Sequence, residues 1–320
     1  MPRLAKVCAL VLVGGCAHAA DPAGDQVESR GASHYTVTID DDFRGARTRA
    51  CVEGVTLRAL LPIDESAARA LRGAWVEGDA VRVIDGLIRM PAASEAQCVT
   101  YDTRLRPSGL RGSDSDAFVD SQAPWLWRPE PMPRELDATV RFVLPPGARV
   151  SVPWPYEGGV YRPSRSAFFT SSYAVFGSFE QQTFVHSGVR IDLAALGERP
   201  PIDALRRWIS NAVAVTASLG GRFPRERLHA VVAPAQSSED DVLFGMVRRG
   251  GGASVLLIPS MGATSAGLGS DWVAVHELSH LWLPPMVAED RWLSEGIATY
   301  LHEVLRARCD RLSSERAWSR

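Results

Sequence analysis

Residues 272–282 read WVAVHELSHLW, with His276 and His280 four positions apart, Glu277 directly after the first, and an otherwise apolar surround. This stretch decides how the rest of the chain is read. Residues four apart share one face of a helix, so the two imidazoles can be offered to a single ion, as tetrahedral zinc requires. Glu277, rotated about 100° from its neighbour, addresses a water on that ion rather than the ion itself. Two ligands and one general base then come from little more than a single turn. Val273, Ala274, Val275, Leu278, Leu281 and Trp282 keep other charges away from it. A pattern with three fixed letters also arises by chance, and two histidines merely packed or capped in a helix is the competing reading of this stretch alone.

A catalytic zinc takes three protein ligands and leaves one position open. Downstream stands RWLSEGIATYLHEVL, residues 291–305, which opens a second helix with Glu295 near its start. Pro284 and Pro285 end the first helix, whose N-cap is expected at Asp271, and a turn there can fold the second helix back against the first. Glu295 is then the candidate third ligand. The competing reading is a carboxylate near a helix N-terminus, where the macrodipole favours it.

The surrounding sequence sets the context. At 320 residues and 46% hydrophobic, the chain can bury a sizeable core and is expected to hold two domains. A net charge of −2 and the lack of long basic runs leave no electrostatic footprint for nucleic acid. Residues 1–20 read as an export signal: Arg3 and Lys6, an apolar stretch from Val7 to Val13, then small residues. Val13-Gly14-Gly15-Cys16 fits lipidation of Cys16 and attachment to a membrane, whereas Ala17-His18-Ala19 fits ordinary signal cleavage. Both readings place the protein in the periplasm or at the outer membrane. Beyond the signal lie Cys51, Cys98 and Cys309, and export makes Cys51 and Cys98, in one strand-rich region, a candidate disulfide, with three buried thiols as the alternative.

Residues 30–197 form a β-rich region of short alternating runs such as HYTVTID (34–40), CVTYDTRL (98–105) and GVRIDL (188–193), read as a β-sandwich-like domain. The aromatic segments PWLWRPEPMP (124–133) and VPWPYEGGVYRPS (152–164) read as rigid loops over the sheet edges, either packed or forming a binding platform. Composition changes near residue 198, and residues 198–320 read as the catalytic portion: a helix entered through prolines and closed by Gly220-Gly221, two strands, and the two helices above.

HELSH followed by WLSEGIATY resembles the gluzincin metallopeptidases of the peptidase MA-like superfamily, related to the alanyl and glycyl aminopeptidase families, whose second motif reads W-x-x-E-G-x-x-x-Y. The resemblance implies an α+β fold, a β-rich domain followed by a thermolysin-like portion, and one Zn2+ held by His276, His280 and Glu295 with Glu277 as base. Two departures stand out. In those families a glutamate on a glycine-rich strand grips the substrate's free amine, but FGMVRRGGGASVLLIPS (244–260) has no acid, and what remains is an edge strand expected at Ala253–Ile258 for pairing with an extended peptide. The families also carry an oxyanion-stabilising tyrosine or histidine well after the glutamate ligand, whereas here the catalytic portion reads as short at its C-terminal side. Thr299, one turn from Glu295, and His302, two turns from it, are candidates to orient a ligand or to act as electrophile. The reading is an exported zinc-dependent peptidase acting on peptide or protein substrates through a zinc-activated water. Its alternative is a catalytically degenerate envelope lipoprotein that binds zinc or peptide.

Overall fold

A computed structural model describes residues 30–91, 97–105, 117–238 and 240–319. The export segment and Cys16 lie outside these residues. The fold is α+β with mixed sheets: eight-, four-, three- and five-stranded among the described residues. Strand Arg30–Ile39 shows how the first sheet is specified. Ser33, Tyr35, Val37 and Ile39 are buried while their neighbours are not, the period of two that turns one face of a strand inward. It pairs in parallel with Glu135–Val143 and antiparallel with Gly45–Glu53, which in turn pairs with Cys98–Arg104. Cys51 and Cys98 stand opposite each other in that last pair and are joined by a disulfide. Cys309 is a free thiol.

One core joins the eight-stranded sheet to the four- and three-stranded ones through Tyr35, Tyr101, Leu60, Ile88, Phe118 and Phe176. The aromatic segments feed it. Trp125, Trp127 and Trp154 are fully buried, and the hydroxyls of Tyr35 and Tyr101 donate to the carbonyls of Trp127 and Trp125 at 2.7 and 2.8 Å. These tryptophans are packing residues, whereas Tyr156 of the second segment is exposed.

The five-stranded sheet carries the second core. Helix Ile202–Ala217 connects the parallel strands Val189–Ala195 and Arg227–Val232, burying a stripe of Leu205, Trp208, Ile209, Ala212 and Val213 against them. The boundary expected at residue 197 therefore does not divide the sheets. Glu180–His186 pairs with Val189–Ala195, which pairs in turn with Arg227–Val232, so the sheet of the second region begins before its first helix. The alternation in GVRIDL shows a strand but not its partner, and a parallel partner lies beyond a helix.

The edge also differs from expectation. Ala253–Pro259 is buried at all seven positions and lies between Arg227–Val232 and Val242–Arg248, which forms the sheet's edge. A run apolar throughout, without alternation, is the mark of an inner strand covered on both faces. No helix among the described residues is long and apolar enough to cross a membrane.

Candidate metal centre

Helix Val273–Ser279 carries His276 and Glu277, and a turn of 3-10 helix, His280–Trp282, continues it to His280. The Asp271 carboxylate accepts from the free N–H groups of Val273 and Ala274, both at 2.9 Å, and from the Trp208 indole at 3.0 Å. It thus caps the motif helix and pins its start to helix Ile202–Ala217. After Pro284 and Pro285 the chain returns as helix Arg291–Arg308, packed against the motif helix.

That return brings Glu295 to the histidines. Its Oε2 lies 3.2 Å from His276 Nε2 and 3.5 Å from His280 Nε2. Donors bound tetrahedrally at about 2.1 Å stand roughly 3.4 Å apart, so these separations match the edges of a zinc tetrahedron, and one carboxylate with two imidazoles is a zinc donor set. No fourth donor joins the three among the described residues. The imidazoles are nearly buried and the Glu295 side chain is half exposed, so the cluster opens to solvent on the carboxylate side.

The other ring nitrogens are engaged as well. His302 Nε2 lies 3.2 Å from Glu303 Oε1, and its Nδ1 lies 3.2 Å from His276 Nδ1. A carboxylate only accepts, so His302 donates from Nε2 and accepts at Nδ1; His276 then donates from Nδ1, and its Nε2 is the nitrogen turned towards Glu295 Oε2. His280 Nδ1 pairs with the Ser294 hydroxyl at 3.0 Å, and its Nε2 is likewise turned towards Glu295. Burial holds the pKa values of His280 and His302 below the usual histidine range, with the charges of Glu295 and Glu303 opposing it. Trp272 covers this chain of rings, 5.8 Å from His276 and 5.1 Å from His302.

Glu277 faces another way. Its Oε2 accepts from the Val247 backbone N–H at 2.9 Å on the edge strand. Burial raises its carboxyl to about 7, with the Val247 bond pulling it down and Glu295 pushing it up. Gly245 makes this approach possible, since a Cβ there would stand 2.6 Å from Glu277 Cγ.

Of the residues singled out in the sequence, His276, Glu277, His280, Glu295 and His302 are brought together. Thr299 is not: it is exposed and makes no hydrogen bond to the cluster among the described residues, standing a turn further along the helix from Glu295. The hydroxyl that holds a ligand histidine is Ser294, adjacent to Glu295 and missed by spacing arguments built on whole turns. Glu303 and Gly245 were also missed, and only their neighbours in sequence, His302 and the glycine-rich strand, hinted at them.

Solved structures share this architecture. An aminopeptidase N family protein from Idiomarina loihiensis superposes with a TM-score of 0.69 at 15% identity, over 89% of this chain and 56% of its own. An M1 zinc metallopeptidase from Deinococcus radiodurans gives 0.47 at 17% identity, over 88% of this chain and 70% of its own. The chain thus spans only 56% of the length of the first. No protein-family model and no curated protein matches. At such identities the likeness establishes the fold alone. Fold and geometry together show an α+β chain in which two histidines and a glutamate gather at one point, with Glu277 on the helix that carries the first histidine.

Proposed function

We propose that the chain is a zinc-dependent peptidase of the gluzincin kind, with a thermolysin-like catalytic portion, acting on extended peptides outside the cytoplasm. The observation that carries this reading is the bond from Val247 N–H to Glu277. On an antiparallel strand a residue's N–H points either to its partner or away from it. The Val247 N–H is taken by Glu277 rather than by strand Ala253–Pro259, so the base lies at the free edge of the sheet, where a peptide pairing as an added strand brings its carbonyls within reach.

His276, His280 and Glu295 would hold one Zn2+, with His302 and Ser294 orienting the two rings. When bound, the ion supplies a Lewis acid and a water of lowered pKa. Glu277 would serve as the base that accepts a proton from the attacking water and passes it to the leaving amine, a task suited to a carboxyl near neutral in pKa. Glu295, half exposed, leaves the site open to substrate. Export is supported by the N-terminal signal and by the Cys51–Cys98 disulfide, a bond that persists in oxidising compartments. Attachment through lipidated Cys16 is part of the same proposal.

The test is hydrolysis of a mixed peptide pool by the zinc-loaded protein and by its Glu277→Gln variant. The variant is expected to be slower by roughly 10²–10⁴-fold. A wild type no faster than the variant contradicts the proposal.

A further inference from the structure

Strand Val242–Arg248 ends in a cation where it meets the base. Arg248 follows Val247 directly, and its guanidinium lies 4.6 Å from the centre of the Tyr173 ring, on the strand's opposite face from Gly245 and Val247. Arg249 comes next and donates to the His280 carbonyl, so it is committed to holding the motif helix. Arg248 has no such commitment: among the described residues no carboxylate pairs with it, and its one polar partner is the Tyr173 phenol. Burial pushes that phenol up to about 12, Arg248 pulls it back, and Glu277 pushes it up again. The phenol stays protonated at neutral pH, and Arg248 stands next along the strand to Val247, whose N–H holds Glu277. Residues 242–252, VLFGMVRRGGG, contain two arginines and no acid, and a guanidinium without a carboxylate partner favours a carboxylate over an amine beside it.

We propose that Arg248, together with the Tyr173 hydroxyl, forms a carboxylate-binding subsite at the end of the edge strand, and that the substrate is a peptide bearing a carboxylate close to the bond that is cut. This rests on the peptidase reading above and adds the substrate's chemistry to it. The carboxylate comes either from an Asp or Glu side chain or from a free C-terminus; a guanidinium fork recognises both alike.

The experiment incubates the zinc-loaded protein with an N-acetylated peptide pool, half with free and half with amidated C-termini, and identifies the cut positions by mass spectrometry. Wild type is expected to favour a carboxylate at one position near the cut about tenfold over the matching amide. Arg248→Gln removes the preference and Arg248→Lys keeps most of it. A preference that survives amidation identifies an acidic side chain, and one confined to the free-ended half identifies the terminal carboxylate. Wild type also serves without any variant, since raising the salt concentration should weaken the preference. Cleavage without a preference for acids, or with one that Arg248→Gln retains, overturns the subsite and leaves the peptidase reading standing. No cleavage either of this pool or of the same peptides with free N-termini overturns both.

Discussion

His302 is the residue that orients the His276 imidazole, as Ser294 orients that of His280. Its Nδ1 meets His276 Nδ1 and its Nε2 meets Glu303, so a carboxylate two residues removed sets which nitrogen of His276 is bare. Partners of this kind typically contribute 10–100-fold to metal affinity. His302→Ala is therefore expected to bind zinc at the same stoichiometry but about tenfold or more weakly in chelator competition. Unchanged affinity would remove His302 from the site. At this scale the ligands were legible because their spacing is local: four residues on a helix decide that His276 and His280 share a face. Glu295 was legible only through a second motif. The His302 contact was not, since a helix of known length says nothing of the rotation with which it packs against another, and the choice of Ser294 over Thr299 turns on that rotation.

Among the elements, the edge strand and the disulfide-linked pair each concentrate one consequence. Gly245 lets strand Val242–Arg248 pass against the motif helix; a Cβ there would stand 2.6 Å from Glu277 Cγ and 2.8 Å from Val273 Cγ1. Gly245→Ala must displace the base, and a misplacement near 1 Å costs about a hundredfold in rate. The expected signature is a large loss of turnover with zinc content intact, and full turnover would show that the contact is not needed. Cys51 and Cys98 close 47 residues of sequence across paired strands, a loop whose cross-link is worth about 2–4 kcal/mol. Urea unfolding with and without reductant should differ by that amount, and coincident curves would contradict it. Strands and helices were legible here as elements, because periods of two and of 3.6 residues are local signals. Their neighbours were not: GVRIDL joined the sheet that follows it, and the strand expected at the edge proved to be an inner one.

Across the whole molecule, buried polar contacts tie the first region to the second. His229, in the five-stranded sheet, has its ring nitrogens 3.0 Å from Ser151 Oγ of the three-stranded sheet and 2.9 Å from Ser254 Oγ of its own. Nearby, the Trp154 indole donates to the Gly250 carbonyl at 3.0 Å and Gly250 N–H to the Ser171 carbonyl at 3.1 Å. Burial lowers the His229 pKa to about 4, with Asp192 opposing and Arg227 reinforcing. The unfolded chain binds this proton below about 6.5 while the folded chain does not, so stability falls as pH drops from about 6.5 towards 4, by roughly 3 kcal/mol in all. His229→Asn should flatten that part of the stability curve, measured by urea unfolding at a series of pH values; an unchanged slope would exclude His229 as its source. None of this joint was visible in the sequence, because His229 lies 78 positions from Ser151. The central claim concerns the ion that would link the motif helix to helix Arg291–Arg308, and metal analysis of purified variants tests it most directly. One equivalent of zinc in the wild type and in Glu277→Gln, with clear loss in His280→Ala and Glu295→Ala, is the predicted result. A wild type that binds no zinc, or a Glu295→Ala variant that keeps a full equivalent, would contradict it.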